Sequence, residues 1–341
     1  MRIKNAKIYQ PDGTFKETDL VTDGEYIKSD AKADHEIVDG FELFAIPALI
    51  DVHVSQCGEL HFDEGGNFAI DKISDLEAQN GVLTWYGVTK LPAAHAEKAA
   101  RFMDTWNTET APLHPECADL AGLVLERPIA HIQDAKPSDE SWKDLAYDDA
   151  DEFAKIEADT KKAFKLIEVD AAQPGADKYI SLVSKEAQVA IVDTDPSFAD
   201  AEKAFKAGAV MAQRYWGKEC VLDPKRPTVL QAVLQNDGKF LQLLVGEDNV
   251  DKRNVTSTFA EFQDKIVLSS SDGNLYDAMK RLIELGVPEA DAINACTVTP
   301  ALALKVADKM GILEDGKLAN ILLVDKDFHI RHVIHRGKMV I

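Results

Sequence analysis

Residues 187–208 read AQVAIVDTDPSFADAEKAFKAG and make the clearest β/α unit of the chain. The segment from Gln188 to Val192 is almost wholly apolar, which predicts a buried strand. Asp195 and Pro196 supply an N-cap and a proline at the first helical position, and apolar residues then recur at helical spacing as far as Gly208. A buried strand followed at once by a helix is the repeating unit of a parallel sheet.

The same alternation of apolar runs and helical segments extends in both directions from this unit. With residues 187–192 it predicts eight strands, of which the other seven are Phe44–Val54, Gly87–Leu91, Leu120–Leu125, Ala163–Val169, Ala209–Ala212, Phe240–Val245 and Ile266–Leu268. Eight β/α units in about 260 residues are typical of a (β/α)₈ TIM-type barrel, whose chemistry lies on loops at the carboxyl ends of the strands. The sequence therefore predicts an α/β protein with such a barrel over residues 47–310.

The two termini carry short alternating segments instead. Residues 3–9 alternate until Pro11, Asp12 and Gly13 break the pattern, and near the other end Ile321–Val324 is predicted to be a buried strand followed by a closing hairpin over residues 332–341. Alternation of this kind is typical of a sheet with one buried face. We expect residues 1–46 and 311–341 to form one small β-sandwich domain beside the barrel.

The composition excludes several classes of protein. Of the 341 residues 45% are hydrophobic and 28% charged, the balance of a globular chain, and the formal charge of −21 argues against a nucleic-acid partner. The four cysteines contain no C-x-x-C pair, so neither a disulfide framework nor a thiolate zinc site is predicted. No signal-peptide core or membrane span is apparent, so the chain is expected to be cytoplasmic and without a membrane partner.

Residues 47–55, PALIDVHVS, resemble the opening motif of the metal-dependent amidohydrolase superfamily, P-G-x-I-D-x-H-x-H, with His53 kept and Ser55 in place of the second histidine. Residues 311–325 are similar to that superfamily's return into its β-sandwich. Segments similar to motifs of the N-acetylglucosamine-6-phosphate deacetylases are GVTKLP at 87–92, LERP at 125–128 and TVTPA at 297–301. The resemblance implies amide hydrolysis of an N-acetyl amino sugar with a divalent metal, zinc or manganese.

The metal site implied by the resemblance is degenerate. His53, Glu126 and Asp193 fall on ligand positions, but Arg214 falls where a histidine is expected, and a protonated guanidinium does not bind metal. No histidine occurs between residues 132 and 328, the span of barrel strands four to eight. One hypothesis is that Arg214 occupies the space of the metal and pairs with Glu126 and Asp193. The competing hypothesis is that His53, Glu126, Asp193 and Asp272 hold manganese or magnesium.

The resemblance also implies roles for residues at the ends of later strands. Asp272 follows the eighth strand and is the candidate catalytic proton shuttle, although Ser-Asp-Gly after a strand is also a common turn and helix cap. The run around Asp272 is similar to that of isoaspartyl dipeptidase as well. Asp248 falls where the deacetylases contact the sugar phosphate, and a carboxylate there would repel phosphate. Arg214 and Lys218 are the candidate anion-binding residues.

Three functions follow from these observations. The first is a divergent deacetylase-like amidohydrolase that takes a small-molecule amide or amino sugar, with activity weakened or lost. The second is an amidohydrolase with an altered carboxylate ligand set that acts on a peptide-like amide. The third is a non-catalytic sugar-binding or anion-binding protein, or a structural partner in an oligomer. The sequence leaves open whether the protein is an enzyme and whether it forms a homodimer.

Overall fold

The structure is a computed structural model that describes residues 1–32, 36–62, 65–90, 93–126, 162–192, 196–215, 227–245, 252–270 and 273–341. Within these ranges the side chains at 90, 93–96, 214–215 and 244–245 are also outside the description. The described α-helices are α1 (Gly66–Gln79), α2 (Ala93–Thr105), α3 (Ala176–Val183), α4 (Phe198–Ala207), α5 (Val229–Gln235), α6 (Lys252–Phe262), α7 (Leu275–Glu284), α8 (Glu289–Cys296) and α9 (Val298–Ala303).

The strands fall into a barrel and the sheets of a terminal β unit, with one small hairpin that follows barrel strand one. The described strands are β1 (Arg2–Lys4), β2 (Lys7–Tyr9), β3 (Phe15–Glu17), β4 (Leu20–Asp23), β5 (Tyr26–Ile27), β6 (Ile37–Asp39), β7 (Phe44–Pro47), β8 (Leu49–Val54), β9 (Gln56–Cys57), β10 (Leu60–His61), β11 (Val82–Lys90), β12 (Asp119–Glu126), β13 (Phe164–Val169), β14 (Gln188–Ile191), β15 (Met211–Tyr215), β16 (Phe240–Val245), β17 (Ile266–Ser270), β18 (Ile321–Val324), β19 (Ile330–His335) and β20 (Lys338–Met339).

Eight parallel strands form the predicted barrel. Strand β8 is barrel strand one, and β11 to β17 are barrel strands two to eight, each hydrogen-bonded to the next in chain order. At the junction between the eighth and first strands, the Asp51 carboxylate accepts hydrogen bonds from the backbone N of Ser270 at 3.2 Å and from its Oγ at 2.7 Å. A buried side-chain contact thus joins the two edge strands, and the predicted (β/α)₈ architecture is confirmed.

The predicted strand Phe44–Val54 is wrong in one respect, because it is two strands in different sheets. Strand β7 pairs with β18 and β2 in the terminal β unit, whereas β8 pairs with β11 in the barrel. The change occurs at Ala48, whose N donates to the Asn320 carbonyl, while the N of Leu49 already donates to the Gly81 carbonyl. Pro47 has no N–H to donate and is therefore tolerated at this transfer point.

The N-cap of helix α4 also differs from the prediction. Ser197 is the cap: its Oγ accepts from the backbone N of Asp200 at 3.2 Å, while the Asp200 carboxylate accepts from the N of Ser197 at 3.3 Å. This reciprocal capping box satisfies two helix-end donors. Asp195, the predicted cap, lies outside the described residues. The helix ends at Gly208, as predicted, with a φ of +126° that favours glycine.

Both termini contribute to the terminal β unit. One sheet has the order β5-β4-β1-β6 and the other β20-β19-β18-β7-β2-β3. Buried apolar side chains from both sheets form a separate core, which includes Ile3, Ile8, Leu20, Val38, Ile321, Leu323 and Ile334. A β-sandwich built from both termini is therefore confirmed, while the domain boundaries at residues 46 and 311 stay predictions.

The barrel has an inner and an outer layer of side chains. The inner layer packs Ile50, Val52, Val124, Leu166, Met211 and Val267 against one another in the lumen. A larger cluster lies between the strands and the surrounding helices. Among the described residues, no helix is both long and apolar enough to cross a membrane.

Candidate functional site

A β-bulge in barrel strand one directs His53 into the lumen. The register runs from Asp51 opposite Trp85 to Val54 opposite Gly87, so strand β8 has one more residue than β11 across this interval. Val52 belongs to the inner cluster and Val54 to the outer one, which shows that the alternation of side chains shifts here. Bulges of this kind re-aim a side chain near functional sites.

The other strands bring polar side chains to the same level by simple alternation. Each lies two residues after an apolar residue of the inner layer and therefore faces the lumen, nearer the carboxyl end of its strand. These side chains are Glu126 on β12, Glu168 on β13, Gln213 on β15 and Ser269 on β17. The lumen therefore changes from apolar to polar toward the carboxyl ends of the strands, where enzymes with this fold have their active sites.

Glu168 joins the cluster into one unit. Its Oε1 lies 3.0 Å from Nε2 of His53 in ion-pair contact and accepts a hydrogen bond from Nε2 of Gln213 at 2.7 Å. The side chains of His53 and Glu168 are only 6% and 2% exposed, so the contact is screened little by solvent. Three strands that are distant in sequence are thus tied together inside the barrel.

Two nearby carboxylates favour the charged form of His53. Burial alone would lower the pKa of His53, but the negative charges of Glu168 and Glu126 outweigh it, and the pKa lies above its usual value. A protonated imidazole is a hydrogen-bond donor at both nitrogens and is not a metal ligand.

Some buried polar atoms of the lumen have no hydrogen-bond partner among the described residues. They include both ring nitrogens of His53, although Nε2 is in ion-pair contact with Glu168, and Oε1 of Gln242, whose Nε2 donates to Ser269 Oγ at 3.1 Å. Buried polar atoms are nearly always satisfied by protein, water or ligand. One donor and one acceptor are thus available to an occupant of the lumen.

Asp51 lies behind the site, on the opposite face of barrel strand one. Burial raises the pKa of its carboxyl to about 6, although hydrogen bonds from Ser270 and from the backbone N of His53 act in the other direction. Asp51 is fully buried and holds the strand junction rather than facing the lumen. The aspartate of the opening motif, Asp51, therefore has a structural role here.

The structure describes only part of the predicted site. His53 and Glu126 come together at the carboxyl end of the barrel. Arg214 lies on β15 with its Cα opposite that of Leu243, and its side chain is outside the description. The other predicted site residues fall outside the described residues: Asp193, Lys218, Asp248 and Asp272. The predicted pairing of Arg214 with Glu126 and Asp193 therefore stays a hypothesis.

Sequence reasoning missed Glu168 and Gln213. The available signal was a charged residue within the apolar strand Phe164–Val169, since a buried carboxylate needs a partner. The signal for Gln213 was its spacing of two from the inward Met211, which places it in the lumen.

The described donors His53, Glu126 and Glu168 are not arranged as a divalent-ion site. His53, Glu126 and Glu168 do not bring three donor atoms within 4.8 Å of one another. The imidazole is in ion-pair contact with Glu168, whose contacting oxygen also accepts from the Gln213 amide. A zinc site needs neutral imidazoles, and the donor atoms of its imidazoles and carboxylates must all face the ion.

The amidohydrolase family model matches residues 219–340 of this chain. Over its whole length the chain has the fold of N-acetylglucosamine-6-phosphate deacetylases of known structure. The enzyme from Pasteurella multocida superposes with a TM-score of 0.82 at 18% identity, covering 99% of this chain and 98% of that one. The enzyme from Mycobacterium smegmatis gives a TM-score of 0.81 at 14% identity, with both chains covered completely. The predicted amidohydrolase resemblance is confirmed.

Two curated relatives are similar in sequence. An N-acetylgalactosamine-6-phosphate deacetylase from Escherichia coli O157:H7 is 21% identical over an alignment of 334 residues that covers 86% of each chain. An adenine deaminase from Clostridium perfringens is 34% identical over 96 residues, which are 28% of this chain and 16% of that enzyme. Only a small part of the deaminase is therefore matched. These likenesses support the fold and the family resemblance, not an activity.

Proposed function

We propose that this protein is a divergent deacetylase-like amidohydrolase that binds an N-acetyl amino sugar, or a related small amide, with hydrolysis weakened or lost. One observation carries the proposal: Nε2 of His53 lies 3.0 Å from Oε1 of Glu168, at the place where the resemblance implies a metal ligand. A metal-dependent hydrolase uses the ion to activate water and to polarise the carbonyl. An ion pair at this position supplies neither effect.

The polar lumen can nevertheless bind a neutral or weakly polar amide. His53 offers Nδ1 as a donor to a carbonyl oxygen, and Oε1 of Gln242 offers an acceptor to an amide N–H or a sugar hydroxyl. We further propose that Arg214 and Lys218 bind an anionic group of the ligand. Asp248 would repel phosphate, so the anion is expected to lie away from Asp248. Such a role places the protein in carbohydrate metabolism.

Two alternatives remain as outcomes of the experiment. In the first, His53, Glu126, Asp193 and Asp272 hold manganese or magnesium, Asp272 moves the proton, and the substrate is a peptide-like amide. In the second, the protein has no small ligand and acts as a structural partner in an oligomer. The first predicts metal-dependent turnover, and the second predicts neither turnover nor binding.

The experiment is an assay of amide hydrolysis on protein purified without chelator or affinity-tag nickel. Release of acetate from N-acetylglucosamine 6-phosphate and cleavage of isoaspartyl dipeptides are measured with zinc, with manganese, with magnesium and without added metal. The wild type is expected to show rates no higher than those of His53→Asn and Glu168→Gln. Metal-dependent turnover that His53→Asn or Asp272→Asn removes would overturn the proposal and favour the hydrolase.

Ligand binding is measured on the same preparations by calorimetry. N-acetylglucosamine 6-phosphate is compared with N-acetylglucosamine, and Arg214→Ala with the wild type. We expect saturable binding that His53→Asn weakens, and a loss of the preference for the phosphorylated sugar in Arg214→Ala. Absence of both binding and turnover would contradict the proposal and favour the structural role.

A further inference from the structure

A second cluster of donor atoms lies at the opposite end of the barrel from His53. A carboxylate oxygen of Asp71 on helix α1, a ring nitrogen of His114 and Sγ of Cys117 all lie within 4.8 Å of one another. His114 and Cys117 belong to the loop that leads into barrel strand three, which begins at Asp119. Glu126 ends the same strand, so the two sites are roughly 25 Å apart at about 3.3 Å per residue.

The loop that holds this cluster is fixed by backbone hydrogen bonds. The N of Cys117 donates to the His114 carbonyl at 3.0 Å, which closes a turn and places the two side chains on one side. The N of Ala118 donates to the carbonyl of Ser74 on helix α1 at 2.9 Å. The helix that carries Asp71 is therefore anchored beside the loop, and the three donors are held by a local framework.

The surroundings of His114 suit a metal ligand. Its Nδ1 lies 3.2 Å from Oε1 of Glu116, so Nδ1 can carry the proton and leave Nε2 as the lone-pair donor. Carboxylates commonly orient metal-binding histidines in this way. The ring also stacks on the buried Trp106, with centroids 6.5 Å apart and an angle of 20° between planes, which limits its rotation.

The thiol is the buried member of the cluster and lies in a region of negative charge. Cys117 is 6% exposed, whereas the side chains of His114 and Glu116 are about half exposed. The negative charges of Glu116, Asp71 and Asp75 act on this thiol. Lys72 on the same helix has its Nζ 4.0 Å from an Asp71 oxygen. A divalent cation would offset this concentration of negative charge.

We infer that Asp71, His114 and Cys117 form a zinc-type binding site that ties the loop before barrel strand three to helix α1. Sulfur, imidazole and carboxylate donors together select zinc over calcium or magnesium, which take oxygen ligands. Donor atoms around tetrahedral zinc are about 3.5 Å apart, so side-chain movements of about 1 Å complete the site. A cavity of about 840 Å³ adjoins two of the three donors, His114 and Cys117.

A second acidic group with a histidine shows why composition alone is insufficient. Asp325, Asp327 and His329 also bring donor atoms within 4.8 Å of one another. The Asp325 carboxylate, however, accepts from the backbone N of Asp327 and His329 and from Arg331. The Asp325 oxygens already accept hydrogen bonds within the turn, so this group serves as a control and is not proposed as a site.

The test is a cobalt titration of the full chain after removal of metal with chelator. Cobalt replaces zinc in such sites, and a coordinated thiolate gives a charge-transfer band in the near ultraviolet. We expect the wild type to bind about one equivalent with this band, and zinc to displace the cobalt. The band should vanish in Cys117→Ala and weaken in Asp71→Asn, and Glu116→Gln should lower affinity about 10-fold to 100-fold.

Control variants assign the signal to this cluster. Cys57→Ala, Cys220→Ala, Cys296→Ala and His329→Ala should each keep the band, and circular dichroism should show Cys117→Ala to be folded. Asp71→Asn changes a partly exposed residue and gives a second reading if Cys117→Ala does not fold. A wild type without a thiolate band, or a band that survives both Cys117→Ala and Asp71→Asn, would overturn the inference. Cobalt bound near His53 would lack this dependence on Cys117, so the result is independent of the proposed function.

Discussion

At the scale of single residues, the identity of one partner decides what His53 can do. A histidine in the opening motif of an amidohydrolase is expected to bind metal, but here its Nε2 faces Oε1 of Glu168. That oxygen also accepts from Nε2 of Gln213, so the carboxylate is held on both sides. The geometry favours a charged donor at the carboxyl end of the lumen.

Replacement of Glu168 tests this ion pair directly. In Glu168→Gln the negative charge beside His53 is lost while the shape is kept, so the pKa of His53 should fall. A histidine whose pKa is raised by folding adds stability below its unfolded pKa of about 6.5, and this stability is lost as the pH rises through the folded value. The stability gap between wild type and variant should therefore shrink as the pH rises above about 6.5. The measurements are NMR titration of His53 and urea unfolding at several pH values.

Glu186→Gln is the matched control for that prediction. Glu186 contacts Nζ of Lys162 at 2.6 Å, but the two side chains are 43% and 66% exposed. Solvent screens this pair, so its removal should change neither the pKa of His53 nor the pH dependence of unfolding. If Glu168→Gln and Glu186→Gln have the same effect on the pKa of His53 and on the pH dependence of unfolding, the prediction is contradicted.

At the scale of secondary-structure elements, the junction between barrel strands one and eight depends on a side chain. Asp51 accepts from both the backbone N and the Oγ of Ser270, and it also accepts from the N of His53 at 3.1 Å. The same contact therefore joins the two strands and holds the backbone of the bulge. Loss of the Asp51 hydrogen bonds should therefore weaken the junction between barrel strands one and eight, here called the barrel seam, and should also change the orientation of His53.

Ser270→Ala tests the seam, with Ser29→Ala as its control. Both serines donate from N and Oγ to one aspartate, and both Oγ to Oδ2 distances are 2.7 Å. The Asp51 carboxylate is buried, so loss of a donor there should lower the free energy of unfolding by about 1–3 kcal/mol. The Asp315 carboxylate beside Ser29 is exposed, and water replaces the hydroxyl. Urea unfolding that shows equal losses for both variants would contradict the role of the seam.

The raised pKa of Asp51 gives a further prediction at this scale. Burial raises this pKa to about 6, so the stability that the protonated carboxyl contributes is fully present below about pH 4. It is lost as the pH rises through about 6. Asp51→Asn does not titrate, so its stability relative to wild type should improve between these two pH values. Thermal unfolding across this interval is the measurement, and a constant difference would contradict the prediction.

At the scale of the whole molecule, one arginine joins the terminal β unit to the barrel. Arg336 follows strand β19, and its Nε and Nη2 atoms donate to Asp119 Oδ2 at 3.1 Å and 2.8 Å. Its Nη1 donates to Glu25 at 2.9 Å, which connects the other terminal sheet. The adjacent His335 is buried, with Nδ1 at 2.9 Å from the Pro115 carbonyl. The start of barrel strand three is therefore fixed against both terminal sheets.

Arg336→Met should weaken this connection. We expect a loss of about 1–2 kcal/mol of stability, since the hydrogen bonds are charge-assisted but partly exposed. Burial alone would raise the pKa of Asp119, but His335 and Arg336 outweigh it and lower the value. The loss should therefore be seen above about pH 4 and should disappear as the pH falls through the folded pKa of Asp119.

Arg331→Met is the control, because Arg331 uses the same two atoms to donate to Asp325 at 3.1 Å and 2.7 Å. Its partner accepts in addition from two backbone N–H groups within a surface turn. Arg331→Met should therefore lose less stability than Arg336→Met, because the Arg331 contact with Asp325 does not connect the terminal β unit to the barrel. Calorimetry of both variants is the measurement, and a larger effect of Arg331→Met would refute the assignment.

The sequence by itself determined the barrel, its eight strands and the sandwich made by both termini. The spacing of apolar residues and the position of turn residues are local properties of the chain. It also identified His53 and Glu126. Only the tertiary structure decided that Phe44–Val54 is divided between two sheets, that a bulge turns His53 inward, and that Glu168 contacts it. The Asp71, His114 and Cys117 cluster was likewise absent from any spacing pattern. These features depend on side chains that are far apart in sequence and meet only when the strands close around a common axis.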